Sequence, residues 1–265
     1  FQNILYLINI MAAADPTVSI VFFLILTLAY SIFKYYTKSP KTIQLWTIIY
    51  FLILIVVQFF INVGLTKEIC GFEQYGVALQ QTVIPWVFVF GLLNILLMVF
   101  PNWLNPFSNT IGYLFAYITG VNGFLKGILK DRKTLDLGPK QAEMITAINN
   151  VYDDKSLLIN SMTTINAPLW WESMKNGGLL KPGVGVEQFV QLEQYIKMKT
   201  IISEFIWFAL TGMLVTSISY NNMVNSGCTQ SAEEMQKRHN EYVENEKKIQ
   251  EAQGQKEQIV YKSYD

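Results

Sequence analysis

The feature that most constrains this chain is an uninterrupted run of uncharged residues from Thr82 to Phe100. At about 1.5 Å per residue, an α-helix of about 20 residues crosses the hydrocarbon layer of a bilayer, which is about 30 Å thick. The run is followed at once by Pro101, Trp103 and Pro106, which combine helix-breaking residues with an indole suited to the headgroup level. The pattern therefore predicts a transmembrane helix that ends near Phe100.

Three further apolar segments have similar length, at 18–36, 42–63 and 201–228. Buried core helices of a water-soluble domain are the alternative, but a domain of 265 residues has no use for four such segments. Neither Gly nor Pro occurs between Val186 and Gly212, so a helix that begins near Glu187 is predicted to run unbroken into the fourth segment. We predict an all-α polytopic membrane protein with four transmembrane helices.

Positive charges predict how these helices are oriented. Three lysines and no acidic residue surround the short turn between the first two helices: Lys34, Lys38 and Lys41. The positive-inside rule places this turn on the cytosolic side. Lys197 and Lys199 directly precede the apolar part of the fourth helix, and the same rule places them on the same side.

Residues 107–121 are the ambiguous part of the N-terminal membrane region, 1–125. They are apolar, but at about 15 residues they fall short of the length that spans a bilayer. Four basic residues follow them, Lys126, Lys130, Arg132 and Lys133. A segment that does not cross leaves these charges on the side of the other lysines, which favours an interfacial or re-entrant segment over a fifth crossing.

Residues 126–200 have the composition of a water-soluble region and predict a helical extramembrane loop. Asn166 is placed to cap a helix that carries Trp170 and Trp171, and Gly177 is placed to end it in a left-handed turn. Three roles remain open for the two tryptophans. They dock the loop to lipid headgroups, contact a partner protein, or pack in the small core of the loop itself.

The two cysteines, Cys70 and Cys228, fall on the same side of the membrane if the chain crosses four times. Each lies a few residues beyond a membrane boundary, opposite the basic loops. This placement predicts a Cys70–Cys228 disulfide, with two unpaired thiols as the alternative. A fifth crossing at 107–121 would put the bilayer between the two sulfur atoms.

The tail, 229–265, is rich in charges of both signs and predicts a solvated helix. Met235, Tyr242 and Ile249 recur every seven residues, but the intervening positions are polar, which is too little for a coiled coil. We interpret them as a narrow apolar stripe that contacts a partner. At the other end of the chain, the apolar stretch 1–10 lacks the basic region of a signal peptide, and we expect it on the bilayer surface or packed against the helices.

The chain lacks the usual signatures of catalysis and of cofactor binding. Its single histidine, His239, lies in the tail, and the cysteines are too far apart for the usual metal-ligand spacings. The glycine-containing stretch 181–188 lacks the Gly-Lys-Ser/Thr of a phosphate-binding loop. Because the formal net charge is zero, no global field attracts nucleic acid. We therefore predict no enzyme activity, cofactor, metal, small-molecule substrate or direct nucleic-acid binding.

Polar residues within the predicted spans are the usual pointer to transport. Gln58 lies about 7 Å and Asn94 about 18 Å from the cysteine-bearing face, and Glu204 lies near the opposite interface. Because these residues do not share a level, they disfavour an ion or proton site. Isolated amides more often form a hydrogen bond with a neighbouring helix, which is the role we predict.

Three stretches carry a resemblance to a known family: Cys70–Gly71, TVIPWVFVFGLLN at 82–94 and FPNWLNPFSNTIGY at 100–113. They resemble a membrane protein of the nucleocytoplasmic large DNA viruses, and 166–183 is similar to a lesser degree. The resemblance implies a virion structural protein in the internal membrane, derived from host endoplasmic reticulum, beneath an icosahedral capsid. Its implied partners are the lipid bilayer and other capsid or membrane proteins. The competing hypothesis is a small transporter, channel or assembly factor of an organelle membrane.

Overall fold

The computed structural model describes residues 16–134, 142–228 and 232–257, and these residues form helices without a β-strand. The predicted surface segment at 1–10 lies outside the described residues. The helices are α1 (Thr17–Tyr36), α2 (Pro40–Cys70), α3 (Tyr75–Val99), α4 (105–118), α5 (Val121–Ile128), α6 (Ala142–Asp153), α7 (Lys155–Ser161), α8 (Ala167–Asn176), α9 (Val186–Ser226) and α10 (Ala232–Glu257).

Four of these helices, α1, α2, α3 and α9, are long and apolar enough to cross a membrane, as the sequence predicted. The unbroken run into the fourth span is also confirmed, because α9 has 41 residues and a length of about 61 Å, twice the hydrocarbon thickness. The α2 helix extends further than predicted. No Gly or Pro follows Gly64 until Gly71, where a positive φ of 73° ends the helix.

Hydrogen bonds join α1 to α2 at several levels. The Gln58 side chain bonds Ser19 through its amide and its carbonyl, and the Gln58 Nε2 to Ser19 O distance is 3.1 Å. About two helical turns further along, the hydroxyls of Thr27 and Tyr50 lie 2.9 Å apart. Lipid chains are as apolar as leucine, so helices in a bilayer associate through such bonds and close packing.

An aromatic cluster fills the space between the four long helices. The ring of Phe23 lies 5.5 Å from Trp86 and 6.0 Å from Phe90, and Phe90 lies 5.9 Å from Phe208. Gly212 makes room for the Phe23 ring, because a Cβ at position 212 would lie 2.1 Å from Cζ of Phe23. The absence of a side chain at Gly212 thus lets α9 pack closely against the Phe23 ring of α1.

A π-helical segment, Ile84–Phe90, interrupts α3 around Pro85. Pro85 has no N–H and cannot bond the carbonyl of Gln81, which lies four residues earlier. That carbonyl accepts a hydrogen bond from the Ser219 hydroxyl of α9, at 2.6 Å. The backbone group that the proline releases is therefore satisfied by a neighbouring helix, as the bilayer interior requires.

The segment predicted as interfacial or re-entrant, 107–121, follows α9 back along its length. The Phe107 ring lies 6.2 Å from the Trp207 ring, and the Thr119 carbonyl accepts a bond from the Tyr195 hydroxyl at 3.4 Å. The contacts thus move toward the N-terminus of α9 as the segment proceeds. At about 21 Å, α4 is also shorter than the hydrocarbon layer, and it is not among the four spanning helices.

The extramembrane loop has a hydrophobic core of its own, built on the N-terminal half of α9. Its buried members come from α4, α5, α7, α8, α9 and the connecting segments: Ala116, Val121, Leu125, Ile128, Leu129, Leu158, Ile159, Met162, Ala167, Met174, Leu180, Leu192 and Ile196. Two backbone bonds of 2.9 Å, from Lys130 to Leu179 and from Lys181 to Ile128, close the loop beside α5. The part of α9 outside the bilayer is therefore the support on which the loop packs.

Two details of α8 differ from the prediction. Asn166 occupies the N-cap position, but its side chain bonds the preceding turn, at Thr163 and Ser161, because Pro168 offers no N–H in the first turn of α8. The left-handed residue that ends the helix is Gly178, with φ 69°, one residue later than predicted. Gly177 keeps a right-handed conformation and donates to the Ser173 carbonyl.

Residues from Ser226 onward form a second compact unit that contains α10. Glu244 and Lys248, four residues apart on α10, form an ion pair at 2.8 Å. Both side chains are exposed, so the pair contributes at most a few tenths of a kcal/mol.

Candidate functional site

The polar residues predicted within the spans are engaged in three different ways. Gln58 bonds the neighbouring helix at Ser19, which confirms its predicted role. The prediction is wrong for Asn94, whose Nδ2 bonds the Phe90 carbonyl of its own helix at 2.8 Å. A carbonyl four residues earlier lies within reach of a short amide, so the local bond competes with an interhelical one.

Glu204, the third of these residues, forms an ion pair with Lys34 at the end of α1. Both side chains are about four-fifths buried, at 19% and 22% exposure. An ionised carboxylate near hydrocarbon requires such a partner. The pair joins the first and fourth spans at the end of the bundle that carries the basic turn.

A buried lysine in α9 is the site that sequence reasoning missed. Lys199 is 2% exposed, and its Nζ lies 2.9 Å from the Ile159 carbonyl, 3.3 Å from Asn160 Oδ1 and 3.4 Å from Asn109 Oδ1. No carboxylate of the described residues lies within ion-pair distance of it. Three neutral oxygens thus replace the water that burial removes from the ammonium group.

Gly112 brings the chain of α4 close to this lysine. A Cβ at Gly112 would lie 2.6 Å from the Lys199 carbonyl and 2.9 Å from Ser203 Oγ. Lys199 therefore joins α4, the C-terminal part of α7 and α9 at the level where the loop meets the membrane helices. The sequence analysis used Lys199 only as a positive charge that orients the fourth helix. Its buried site was not predictable from local sequence, because the three acceptors lie 39 to 90 residues away along the chain.

The two loop tryptophans pack within the loop, which is one of the three roles left open. Trp170 and Trp171 are partly buried against the loop core, and the Trp171 ring lies 5.3 Å from Phe189 of α9. Next to them, Ile165 and Leu169 are 85% and 67% exposed. The apolar surface that this part of the loop presents to its surroundings therefore comes from these two aliphatic side chains.

The stripe predicted on α10 is exposed in the structure. Met235, Tyr242 and Ile249 have exposed fractions of 53%, 64% and 57%. Their spacing of seven residues places them along one face of the helix. Their contact with a partner stays a prediction.

Both cysteines are disulfide-bonded in the structure, and neither is a free thiol. This is the state that the predicted Cys70–Cys228 bond requires, and the pairing itself stays a prediction that peptide mapping can test. A covalent bond near the membrane boundary is expected of a protein whose cysteine-bearing side faces an oxidising compartment.

The chain matches no family model, no curated protein and no solved structure.

Charged groups of the loop have structural partners. Asp154 caps α7, and hydrogen bonds from the Ser156 side chain and backbone lower the pKa of its carboxyl. Arg132 and Asp153 form an exposed ion pair at 2.7 Å. Within the described parts of the chain, no three His, Cys, Asp or Glu side chains are grouped as metal ligands.

Proposed function

We propose that this chain is a structural protein of a large DNA virus particle, in which it anchors the internal membrane to capsid or minor capsid proteins. The resemblance of 82–94 and 100–113 to a membrane protein of the nucleocytoplasmic large DNA viruses supports the viral assignment. The same resemblance implies a membrane that derives from host endoplasmic reticulum. The structural role rests on the contacts that polar side chains form between the transmembrane helices.

One observation carries this role: polar side chains of the bundle are engaged in pairs, at separate levels, in contacts that hold helices together. The interhelical side-chain pairs are Ser19–Gln58, Thr27–Tyr50, Tyr30–Thr47, Lys34–Glu204 and Asn62–Thr82, and the Ser219 hydroxyl bonds the backbone carbonyl of Gln81. A carrier or channel instead needs polar groups that converge on a path for its substrate. Pairs distributed along the helices favour a rigid membrane anchor.

The exposed stripe of α10 is the surface that we assign to a protein partner. Three apolar side chains on an otherwise charged, solvated helix leave about half of their area in water. Contact with a partner removes that area from water at about 25 cal/mol per Å². An apolar patch of this kind, surrounded by charges, is typical of a docking face.

Composition of purified particles tests the proposal. We expect quantitative mass spectrometry to find the chain in a fixed ratio to the major capsid protein, and chemical cross-linking at Lys248 to join it to a capsid or membrane protein. The triple variant Met235→Ser, Tyr242→Ser, Ile249→Ser should lower the cross-link yield several-fold. Absence of the chain from purified particles would refute the viral assignment.

A matched control lies on the opposite face of α10. The variant Asn240→Ser, Lys247→Ser, Glu251→Ser leaves the apolar stripe, the net charge and the ion pair of Glu244 with Lys248 unchanged. It should retain the cross-link. Equal loss in both triple variants would mean that helix stability, and not the stripe, determines the contact.

One observation favours the competing transporter: Oδ1 of Asn94 is buried and has no hydrogen-bond partner. A buried acceptor of this kind can receive a bond from a passing solute. The test is solute or ion flux into vesicles that contain the purified chain. Flux that Asn94→Leu abolishes at unchanged melting temperature would replace the structural proposal.

A further inference from the structure

Three lysines come together where α1, the turn after it and α9 meet. Lys34 lies in the last turn of α1, Lys38 lies in the turn that follows, and Lys197 of α9 bonds the chain between them at Thr37; we refer to the three as the lysine cluster. The Lys197 ammonium lies 2.8 Å from the Thr37 carbonyl and 5.9 Å from the centre of the Tyr35 ring. Lys34 and Lys38 are close enough to repel it electrostatically.

The negative charge next to the lysine cluster is insufficient to neutralise it. Glu204 pairs with Lys34 alone. Glu193 lies one helical turn from Lys197 but forms no ion pair with it, and no carboxylate of the described residues lies within 4.0 Å of Lys38 or Lys197. Lys38 and Lys197, which bonds the carbonyl of the adjacent Thr37, therefore remain as two neighbouring positive charges, and their repulsion costs free energy unless an anion joins them.

The position of the lysine cluster determines which anion can reach it. Lys34 lies in the last turn of the apolar helix α1, and Lys197 precedes the apolar part of α9, so the cluster lies at the edge of the hydrocarbon layer. Large side chains at this end of α1 and α2 are exposed, among them Ile32 at 52%, Tyr36 at 77% and Trp46 at 42%. Such side chains lie against lipid chains and headgroups when they flank a membrane boundary.

We propose that the lysine cluster is a binding site for the phosphate group of an anionic phospholipid, with Lys38 and Lys197 as its ligands. The ammonium groups supply the charge, the Tyr35 ring and the Thr37 carbonyl hold Lys197 in place, and the exposed apolar side chains accommodate the acyl chains. Basic pockets between transmembrane helices recognise anionic headgroups in this way. The site does not depend on which protein binds the extramembrane parts.

Native mass spectrometry of the full chain in a neutral detergent tests this site. The chain is mixed with equal amounts of phosphatidylglycerol and phosphatidylcholine, and the ratio of bound lipids is measured. Because one lysine near an anionic lipid changes affinity by a factor of about five, Lys38→Gln, Lys197→Gln should lower the preference for phosphatidylglycerol roughly fivefold or more. The variant Lys38→Arg, Lys197→Arg should keep the preference.

The control variant is Lys133→Gln, Lys175→Gln, which removes two exposed charges from the loop and should leave the lipid ratio unchanged. Equal binding of both lipids by the unmodified chain would overturn the proposal, as would an unchanged preference in the glutamine variant. Melting temperatures identify a variant that has lost its fold. If the glutamine variant is unfolded, the lipid ratios of the arginine variant and of the unmodified chain decide whether the site binds an anionic lipid. Loss of the preference in millimolar inorganic phosphate would assign the site to free phosphate and reject the lipid.

Discussion

At the scale of single residues, the bundle depends on groups that a bilayer cannot hydrate. The Gln81 carbonyl is the clearest example, because Pro85 removes its partner within α3 and the Ser219 hydroxyl supplies another at 2.6 Å. The helix keeps its π-helical segment, and Trp86 and Phe90 both face the aromatic cluster. The proline within this span is tolerated because a donor on a facing helix satisfies the carbonyl that it leaves free.

Ser219→Ala tests this pairing directly. Loss of the hydroxyl leaves the Gln81 carbonyl unsatisfied, and we expect the free energy of unfolding in detergent to fall by about 1 kcal/mol. Ser217→Ala is the control, because the Ser217 hydroxyl is exposed and bonds only the Met213 carbonyl of its own helix. Equal effects of the two substitutions on the melting temperature would contradict the assignment of Ser219.

Gly212→Ala tests the packing of the aromatic cluster. The added methyl would lie 2.1 Å from the Phe23 ring, so the ring must move, and we expect a loss of about 1–3 kcal/mol in the free energy of unfolding. Gly64→Ala, also within a transmembrane helix, meets no atom within 4 Å. It should leave stability unchanged or raise it by up to about 1 kcal/mol. A Gly212→Ala protein as stable as the Gly64→Ala protein would show that the ring packing is not constrained.

At the scale of helices, α9 connects the lipid-embedded part of the chain to the water-exposed part. Its N-terminal half supports the loop core, and its C-terminal half completes the four-helix bundle. Lys199 lies between these halves, where it bonds the end of α7 and the start of α4. The loop is therefore held to the membrane helices by a buried charge as well as by apolar contacts.

Lys199→Met tests this connection. The substitution keeps the volume but removes three donated hydrogen bonds, and bonds to a charged group contribute about 1.5–3 kcal/mol each at most. We expect amide hydrogen exchange in 155–161 and 105–112 to accelerate at least roughly tenfold, with the spans unaffected. Lys175→Met, at an exposed position of α8, serves as the control. Unchanged exchange at 155–161 would mean that apolar packing alone holds the loop.

The helices were predictable from the sequence where the signal is local. Apolar length identified the four spans, and the absence of Gly and Pro identified the unbroken α9. Contacts were not predictable in the same way, because they depend on residues far along the chain. The acceptors of Lys199 lie on α4 and α7, and a second π-helical segment, Ser108–Gly112 within α4, ends at the glycine that lies against α9. The left-handed turn after α8 fell one residue late because two glycines are adjacent there, and either can adopt it.

At the scale of the whole molecule, the predicted disulfide relates the ends of the second and fourth spans. Peptide mapping under non-reducing conditions should recover one cross-linked peptide that contains Cys70 and Cys228. Reduction should lower the melting temperature, because a disulfide typically contributes about 2–4 kcal/mol, and more when it closes a long loop as this bond would. Recovery of both cysteines in separate peptides without reduction would contradict the pairing.

The central claim is that four helices cross the bilayer and leave the basic turn and the loop on one side. Labelling with a membrane-impermeant maleimide tests it most directly, in vesicles of uniform orientation and in a Cys70→Ser, Cys228→Ser background. Single cysteines at Lys38 and Lys133 should react from the same side, and one at Glu73 from the other. Reaction of positions 38 and 133 from opposite sides would show that 105–118 crosses the membrane, and would contradict the account.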